Sequence, residues 1–235
     1  MKNLVTLSIL LLCVAGFSQE QSISIDYTVD YLIPNRRQQA MDTVSVGYQK
    51  DGKYIWTNSN ALAQDLGKSI FRRNPELLEN ADLAIIYDTE NALLMMCFLS
   101  GENEIFFKFE ISNFLPPIPQ EGDMDSYELI SENTGEVIEV LDYKSTVYDI
   151  FPSNKETDIM TVAFNNDLKV KNKQLFKKIF QMILSSQMGS EVVDVDIPEG
   201  LIMKVTNKGK TMLEAYNVET STKTININYS FKITE

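Results

Sequence analysis

Histidine is absent from this chain of 235 residues. Its absence excludes the Ser-His-Asp triad, the Cys-His nucleophile pair and zinc sites that use imidazole ligands. Basic residues are also scarce, because 21 Lys and Arg face 33 Asp and Glu, which leaves a net charge of −12. Such a charge argues against nucleic acid as a partner and against docking on an anionic bilayer surface. The chain also lacks a Walker loop, a dinucleotide-binding glycine pattern and a GxSxG elbow, so we expect a protein that is not an enzyme and uses no cofactor or metal.

Cysteine occurs only twice, and the first, Cys13, lies in an N-terminal leader. Residues 1–18 read MKNLVTLSILLLCVAGFS, with Lys2 before an apolar stretch and small residues near the end, which is the pattern of a signal peptide. We expect cleavage between Ser18 and Gln19 and export to the periplasm or the extracellular space. A lipoprotein leader is the less favoured alternative, because a bulky leucine directly precedes Cys13. No other segment has the length and apolar character of a membrane-spanning helix.

Once the leader is removed, Cys97 is the only cysteine, so an internal disulfide cannot form. It lies in the apolar run 93–99, which predicts a buried strand and an unreactive thiol. The stability of the protein must then come from its hydrophobic core. No linker-like segment and no clear repeat divides residues 19–235, and we expect them to form a single domain.

Alternating apolar and polar residues are common along the chain and predict strands. In residues 23–33 and 225–233 the odd-numbered residues are apolar and the even-numbered ones mostly polar. The odd positions should therefore face a core and the even ones, Thr28 included, should face water. Residues 51–52 and 207–210 carry turn sequences between further pairs of strands. Because short turns join neighbouring strands antiparallel, the sheet should be mostly antiparallel.

Two segments have apolar residues at helical spacing instead. In residues 60–73 they are Leu62, Leu66, Ile70 and Phe71, and in residues 171–187 they are Leu175, Phe176, Ile179, Phe180 and Ile183. Each stripe should lie against the sheet. The sequence therefore predicts an α+β fold, in which a mostly antiparallel sheet carries two amphipathic helices on its concave face.

Three further features have two interpretations each. The proline-rich residues 113–125 are either a surface loop held against the core, which we favour, or a mobile lid. Trp56, the only tryptophan, either packs in the core, which we favour, or stacks on a ligand. Acidic pairs such as Asp194 and Asp196 are better explained by a solvated strand face than by a glycoside hydrolase site.

The C-terminal half carries an ordered set of short motifs. Residues 134–138 read TGEVI, residues 141–144 read LDYK and residues 147–148 read VY. After a predicted strand and helix, residues 196–202 read DIPEGLI, with Glu199 as an insertion. In this order and spacing the motifs resemble those of small exported proteins of the GLPGLI type, and the resemblance covers roughly residues 130–233.

This resemblance implies the fold of the outer-membrane lipoprotein carriers, the LolA-like superfamily, which is a strongly curved sheet forming an incomplete β-barrel with helices in its open mouth. Such carriers shield acyl chains between sheet and helices, so residues 19–235 would form a LolA-like half-barrel that binds a lipid or another apolar ligand. The candidate cavity residues are Phe176, Ile179, Phe180, Ile183, Ile70 and Phe71. The alternative is a structural or interaction module that pairs with another envelope protein through an exposed sheet edge.

Overall fold

Strands make up most of the described part of the protein. The structure is a computed structural model, and it describes residues 21–35, 40–58, 82–100, 103–110, 127–177 and 193–227. The strands are β1 (Gln21–Ile25), β2 (Tyr27–Asn35), β3 (Ala40–Tyr48), β4 (Tyr54–Thr57), β5 (Asp82–Asp88), β6 (Leu93–Ser100), β7 (Asn103–Glu110), β8 (Tyr127–Val140), β9 (Tyr143–Pro152), β10 (Met160–Asn165), β11 (Val193–Val195), β12 (Leu201–Asn207), β13 (Lys210–Glu219) and β14 (Lys223–Ile227). One helix, α1, occupies residues 172–177 in this part of the chain.

Twelve of these strands form one large sheet, in the order β11-β8-β9-β10-β12-β13-β2-β3-β4-β5-β6-β7. Neighbouring strands in it run antiparallel, except that β11 runs parallel to β8. The strands β1 and β14 pair antiparallel in a separate two-stranded sheet, which we call the ribbon. The predicted antiparallel pairing is therefore confirmed, and the turns at 51–52 and 207–210 connect β3 to β4 and β12 to β13 as expected.

The predicted α+β class is wrong, because the described residues are nearly all sheet and contain one short helix. That helix begins where the sequence places the second amphipathic helix, but residues 178–187 of that prediction lie outside the described residues. The first predicted helix, 60–73, lies outside them entirely. The helical stripes occupy two short windows, whereas the described residues form fourteen strands, and a ribbon of two strands covers one face of the sheet.

The two faces of the large sheet are covered by different elements. On the first, which we call the helix face, α1 lies against a core that includes Tyr31, Tyr48 and Leu175. On the opposite one, the ribbon face, the ribbon contributes Ile23, Ile25 and Ile227, and the large sheet contributes Tyr54, Ile86 and Met95. The large sheet is therefore a middle layer where the ribbon crosses it.

The predicted orientation of the terminal strands is confirmed where they are described. Ile23, Ile25 and Ile227 are buried, while residues 228–235 lie outside the described part. Thr28 is an exception, because the sequence places it in water and the structure leaves only 6% of it exposed. The chain bends between β1 and β2, so the ribbon folds back over the ribbon face beside this threonine.

Two buried tyrosine hydroxyl groups connect β2, β3 and β12 on the helix face. Tyr31 Oη donates a hydrogen bond to the carbonyl oxygen of Ile202 at 2.7 Å and lies 3.0 Å from Tyr48 Oη. Since a hydroxyl has one proton, Tyr48 is the donor to Tyr31. Burial raises the pKa of Tyr48 to about 12 and raises the pKa of Tyr31 well above its ordinary value.

We expect these tyrosines to destabilise the protein at high pH. An unfolded tyrosine loses its proton near pH 10, and folded Tyr48 does so near 12. Between these values the folded state binds more protons than the unfolded state, so stability falls as the pH rises. The free energy of unfolding should fall by about 1.4 kcal/mol per pH unit for each such tyrosine, as measured by urea unfolding across this range.

Two Tyr→Phe variants separate this effect from general alkaline unfolding. Tyr48→Phe should remove one contribution to the pH slope and leaves the hydrogen bond from Tyr31 to Ile202 in place. Tyr216→Phe is the matched control, because Tyr216 is 63% exposed and its hydroxyl is not part of the buried pair. Equal slopes in the two variants would contradict the assignment.

Candidate functional site

A small apolar cavity lies on the helix face beside Phe176. It has a volume of about 60 Å³, and we call it the Phe176 cavity. Its other lining residues are Ile150, Met160, Val162, Phe164, Ile197, Ile202 and Val205. All eight side chains are apolar, and Phe176 contacts both the core around Tyr31 and a second apolar cluster around Phe164.

Strand periodicity brings most of these residues together. Met160, Val162 and Phe164 occupy alternate positions of β10 and so share one face of the sheet. The ring of Tyr148 on β9 makes an edge-to-face contact with Phe164, with 5.8 Å between ring centroids. From the other side, Val205 on β12 pairs directly with Val162. The floor of the cavity is thus built from three neighbouring strands.

The start of α1 is fixed by the buried side-chain amide of Asn172. Its Nδ2 donates hydrogen bonds to the carbonyl oxygens of Pro198, at 2.7 Å, and Gly200, at 2.6 Å. The backbone amide of Gly200 in turn donates to the carbonyl oxygen of Val170 at 3.0 Å. Buried carbonyl groups need such partners. These bonds therefore determine where α1 begins and place Phe176 one turn later.

Gly200 brings two segments of the backbone closer than a side chain would allow. Its φ is +137°, and a Cβ atom built on it would lie 2.6 Å from the carbonyl oxygen of Asn165. Asn165 is itself buried, and its Nδ2 donates to the carbonyl oxygen of Lys144 at 2.9 Å. Residues 196–202, which carry the DIPEGLI motif, thus join the end of β10 to the start of α1.

Of the predicted cavity residues, Phe176 lies within the described part of the chain, and the structure places it at the cavity. The other five, Ile179, Phe180, Ile183, Ile70 and Phe71, lie outside the described residues. Sequence reasoning missed the strand residues of the cavity, such as Val162 and Ile202. The alternation along β10 indicates that these residues share a face, but no local pattern shows that this face meets α1.

The remaining sequence candidates lie away from this cavity. Cys97 is half-buried in β6, and Asp196 is exposed, while residues 113–125 lie outside the described part. The described residues contain no group of three or more Cys, Asp or Glu side chains able to hold a metal ion. Within the same ranges, no helix is long and apolar enough to cross a membrane.

Comparison with known proteins gives only weak structural similarity. No family model and no curated protein matches the chain. Among solved structures it is similar to PNGF-II, in crystals of the C2 and P21 space groups, with a TM-score of 0.36 and 11% sequence identity in each case. The similarity covers 86% of this chain but 28% of PNGF-II. A TM-score this low supports no conclusion about fold or function.

Replacing Gly200 by alanine should strongly destabilise the protein. The new Cβ would clash with the Asn165 carbonyl oxygen, and the positive φ disfavours a side chain. We expect the free energy of unfolding, measured with urea, to fall by about 3 kcal/mol or more. Gly209→Ala is the matched control, because φ is +73° there and no atom lies within 4 Å of the added Cβ.

In Gly209→Ala the free energy of unfolding should fall only by the backbone strain, about 1–2 kcal/mol. If Gly200→Ala were as stable as Gly209→Ala, the close approach to Asn165 would not constrain this part of the fold.

Proposed function

We propose that the protein is an exported, non-enzymatic protein of the cell envelope that binds a lipid or another apolar ligand at the Phe176 cavity. The observation that carries this proposal is the lining of the cavity, whose eight described side chains are all apolar. A void lined in this way stays dry, and an apolar group that fills it removes apolar surface from water. An acyl chain has the chemistry that suits such a lining.

The size of the cavity limits how much of a ligand it can hold. Its volume of about 60 Å³ is roughly that of two water molecules. Pockets that enclose a whole drug-sized ligand are larger, at about 300 Å³ or more. The cavity therefore suits the end of an acyl chain, and the rest of the ligand would lie outside it.

The walls of the cavity are held in place, which favours binding over collapse. Val162 and Phe164 are 2% and 1% exposed, and their strand pairs with β9 on one side and β12 on the other. On the α1 side, the hydrogen bonds of Asn172 fix the position of the helix. A preformed apolar site of this kind loses little free energy to reorganisation when it binds.

Lipid recovery and cavity filling test the proposal on one preparation. Organic extraction of protein purified from its native envelope should yield bound lipid, identified by mass spectrometry. Val162→Ile adds one methyl group to the cavity wall, so it should lower the lipid yield. In lipid-free protein it should raise the free energy of unfolding by about 0.5–1 kcal/mol.

Val29→Ile is the matched control, because Val29 is fully buried on the helix face but does not line the cavity. It should lower the free energy of unfolding by about 1–3 kcal/mol through overpacking and leave the lipid yield per folded protein unchanged. No lipid in the wild-type extract, together with destabilisation by Val162→Ile, would contradict the proposal.

A specific observation also favours the alternative, an interaction module that binds another envelope protein. Among the described strands, β7 is the last in the order of the large sheet, next to β6. It is eight residues long, and its Phe107 and Phe109 rings stack with 5.8 Å between centroids. Long apolar edge strands serve as templates for a strand of a second protein.

Amide hydrogen exchange tests this second candidate. If a partner adds a strand to β7, amides of residues 103–110 that exchange in the isolated protein should become protected in the complex. Protection of all these amides in the isolated monomer would show that the chain covers its own edge, which would contradict the second candidate.

A further inference from the structure

A larger cleft lies on the opposite side of the sheet, between the ribbon and the ribbon face. Its volume is about 390 Å³, which falls within the range of sites for small molecules. It is lined by Ile25, Thr28, Trp56, Lys223, Thr224 and Ile225. We call it the Trp56 cleft. It is separate from the Phe176 cavity, and the inference drawn from it does not rest on the proposed function.

The floor of the Trp56 cleft is a row of residues that crosses four neighbouring strands. In the strand register, Glu219, Thr28, Gly47 and Trp56 lie side by side. Gly47 contributes no side chain, and Ile25 of the ribbon lies over it, between Thr28 and Trp56. A Cβ atom on Gly47 would lie 2.7 Å from Ile25 Cγ2 and 3.2 Å from Trp56 Cε3. The glycine thus lets the ribbon and the indole approach each other above it.

The hydroxyl of Thr28 is buried without a hydrogen-bond partner in the protein. The residue is 6% exposed, and its Oγ1 makes no hydrogen bond. A buried hydroxyl in this state is unfavourable and uncommon in folded proteins. Thr28 lines the cleft, but its Oγ1 has almost no accessible surface. A hydroxyl group of a bound ligand would therefore satisfy it once the adjoining cleft wall moves aside, whereas a purely apolar ligand would leave it unsatisfied.

A second polar row lies next to the first on the same face. Asp30, two residues after Thr28 on β2, accepts a hydrogen bond from Ser45 Oγ at 2.5 Å and another from Asn217 Nδ2 at 3.1 Å. Residues two apart on a strand are about 7 Å apart, which is close to the width of one sugar ring. A carboxylate has about four acceptor positions, so Asp30 can accept a further hydrogen bond from a ligand.

The charges at the rim favour a neutral ligand. Lys223 Nζ lies 2.5 Å from Glu219 Oε2, and both side chains are partly exposed. Because the ammonium group is already paired, it does not offer a free positive charge to an anion. The Trp56 cleft therefore combines an aromatic ring with an unsatisfied hydroxyl and a rim whose two charges offset each other, and the carboxylate of Asp30 lies beside it on β2.

We infer that the Trp56 cleft binds a neutral sugar ring. The C–H face of the ring would pack on the indole of Trp56, one ring hydroxyl would bond to Thr28 Oγ1, and a second would donate to Asp30. An aromatic surface beside a few fixed polar groups is the pattern that binds and orients a small amphipathic ligand. No bond is made or broken, so this is a binding site.

The only tryptophan of the chain reports directly on this site, because it is Trp56. We expect the methyl glycosides of glucose, galactose, mannose and N-acetylglucosamine to serve as probes. At least one of them should change the emission of Trp56 in a saturable way, with a dissociation constant on the order of 1 mM. The same probe should receive saturation from the protein in ligand-observed NMR.

Two Thr→Val variants test the role of the hydroxyl. Thr28→Val keeps the shape of the side chain and should weaken binding of that probe roughly tenfold, the loss expected for one hydrogen bond to a buried group. Thr43→Val is the matched control. Thr43 lies on β3, on the same face of the large sheet as Thr28, but it is exposed and does not line the cleft. Its affinity should equal that of the wild type. Urea unfolding should show that Thr28→Val is at least as stable as the wild type.

Three results would overturn the inference. The first is that no glycoside changes the emission of Trp56, and the second is that Thr28→Val binds the probe as tightly as Thr43→Val. The third is that laurate changes the emission of Trp56 while no glycoside does, because the cleft would then bind an apolar chain. Lipid held in the Phe176 cavity would affect none of these results, since no tryptophan lines that cavity.

Discussion

In the strands β5 and β6 of the large sheet, apolar residues lie on both faces, so other parts of the chain must pack against both faces there. Ile85 and Ile86 are neighbours on β5 that point to opposite faces, and both are buried. Met95 and Met96 on β6 behave in the same way. An uncovered face here would leave a contiguous apolar patch in water. The ribbon meets this requirement on one face, which is why the two ends of the described chain pair with each other.

Covering the ribbon face with two strands leaves a gap beside them. β1 continues into β2 after a single bend, so the ribbon starts directly above the row that contains Thr28 and Gly47. Ile25 contacts the position of Gly47, Trp56 packs against the same cluster of ribbon isoleucines, and the cleft opens beside these contacts. The Trp56 cleft is therefore a consequence of how the sheet is covered, and its polar floor comes from the outward-facing positions of β2 and β3.

Much of the strand structure could be predicted from the sequence, because strand periodicity and turn chemistry are local signals. The hairpin at Asp51-Gly52 and the orientation of Ile23 and Ile25 are examples. The fold class could not be predicted in the same way. Which elements pack on the faces of a sheet depends on contacts between segments that are distant in the sequence. The pairing of β1 with β14 has no local signal, and for this reason Thr28 was expected in water.

In the candidate sites too, features with a local sequence signal could be predicted, and features that depend on distant contacts could not. Phe176 could be found because a helical stripe is visible in a short window, whereas Val162 and Val205 could not, since their alternation indicates a buried face without naming the element that meets it. The burial of the Asn172 side-chain amide has no local signal in the sequence either. Its hydrogen bonds to Pro198 and Gly200 depend on a segment 26 and 28 residues away.

The charge of the chain connects its composition with the ligands proposed for both faces. A net charge of −12 creates a negative field around the protein, which repels anionic ligands and slows their association. Neither an uncharged sugar nor the apolar end of a lipid experiences this repulsion. The strand β2 contributes to both faces, because Tyr31 points into the core of the helix face and Thr28 and Asp30 point to the ribbon face. A shift of this strand by one residue would exchange the two sets, so the register that buries Tyr31 also places the hydroxyl of Thr28 in the cleft.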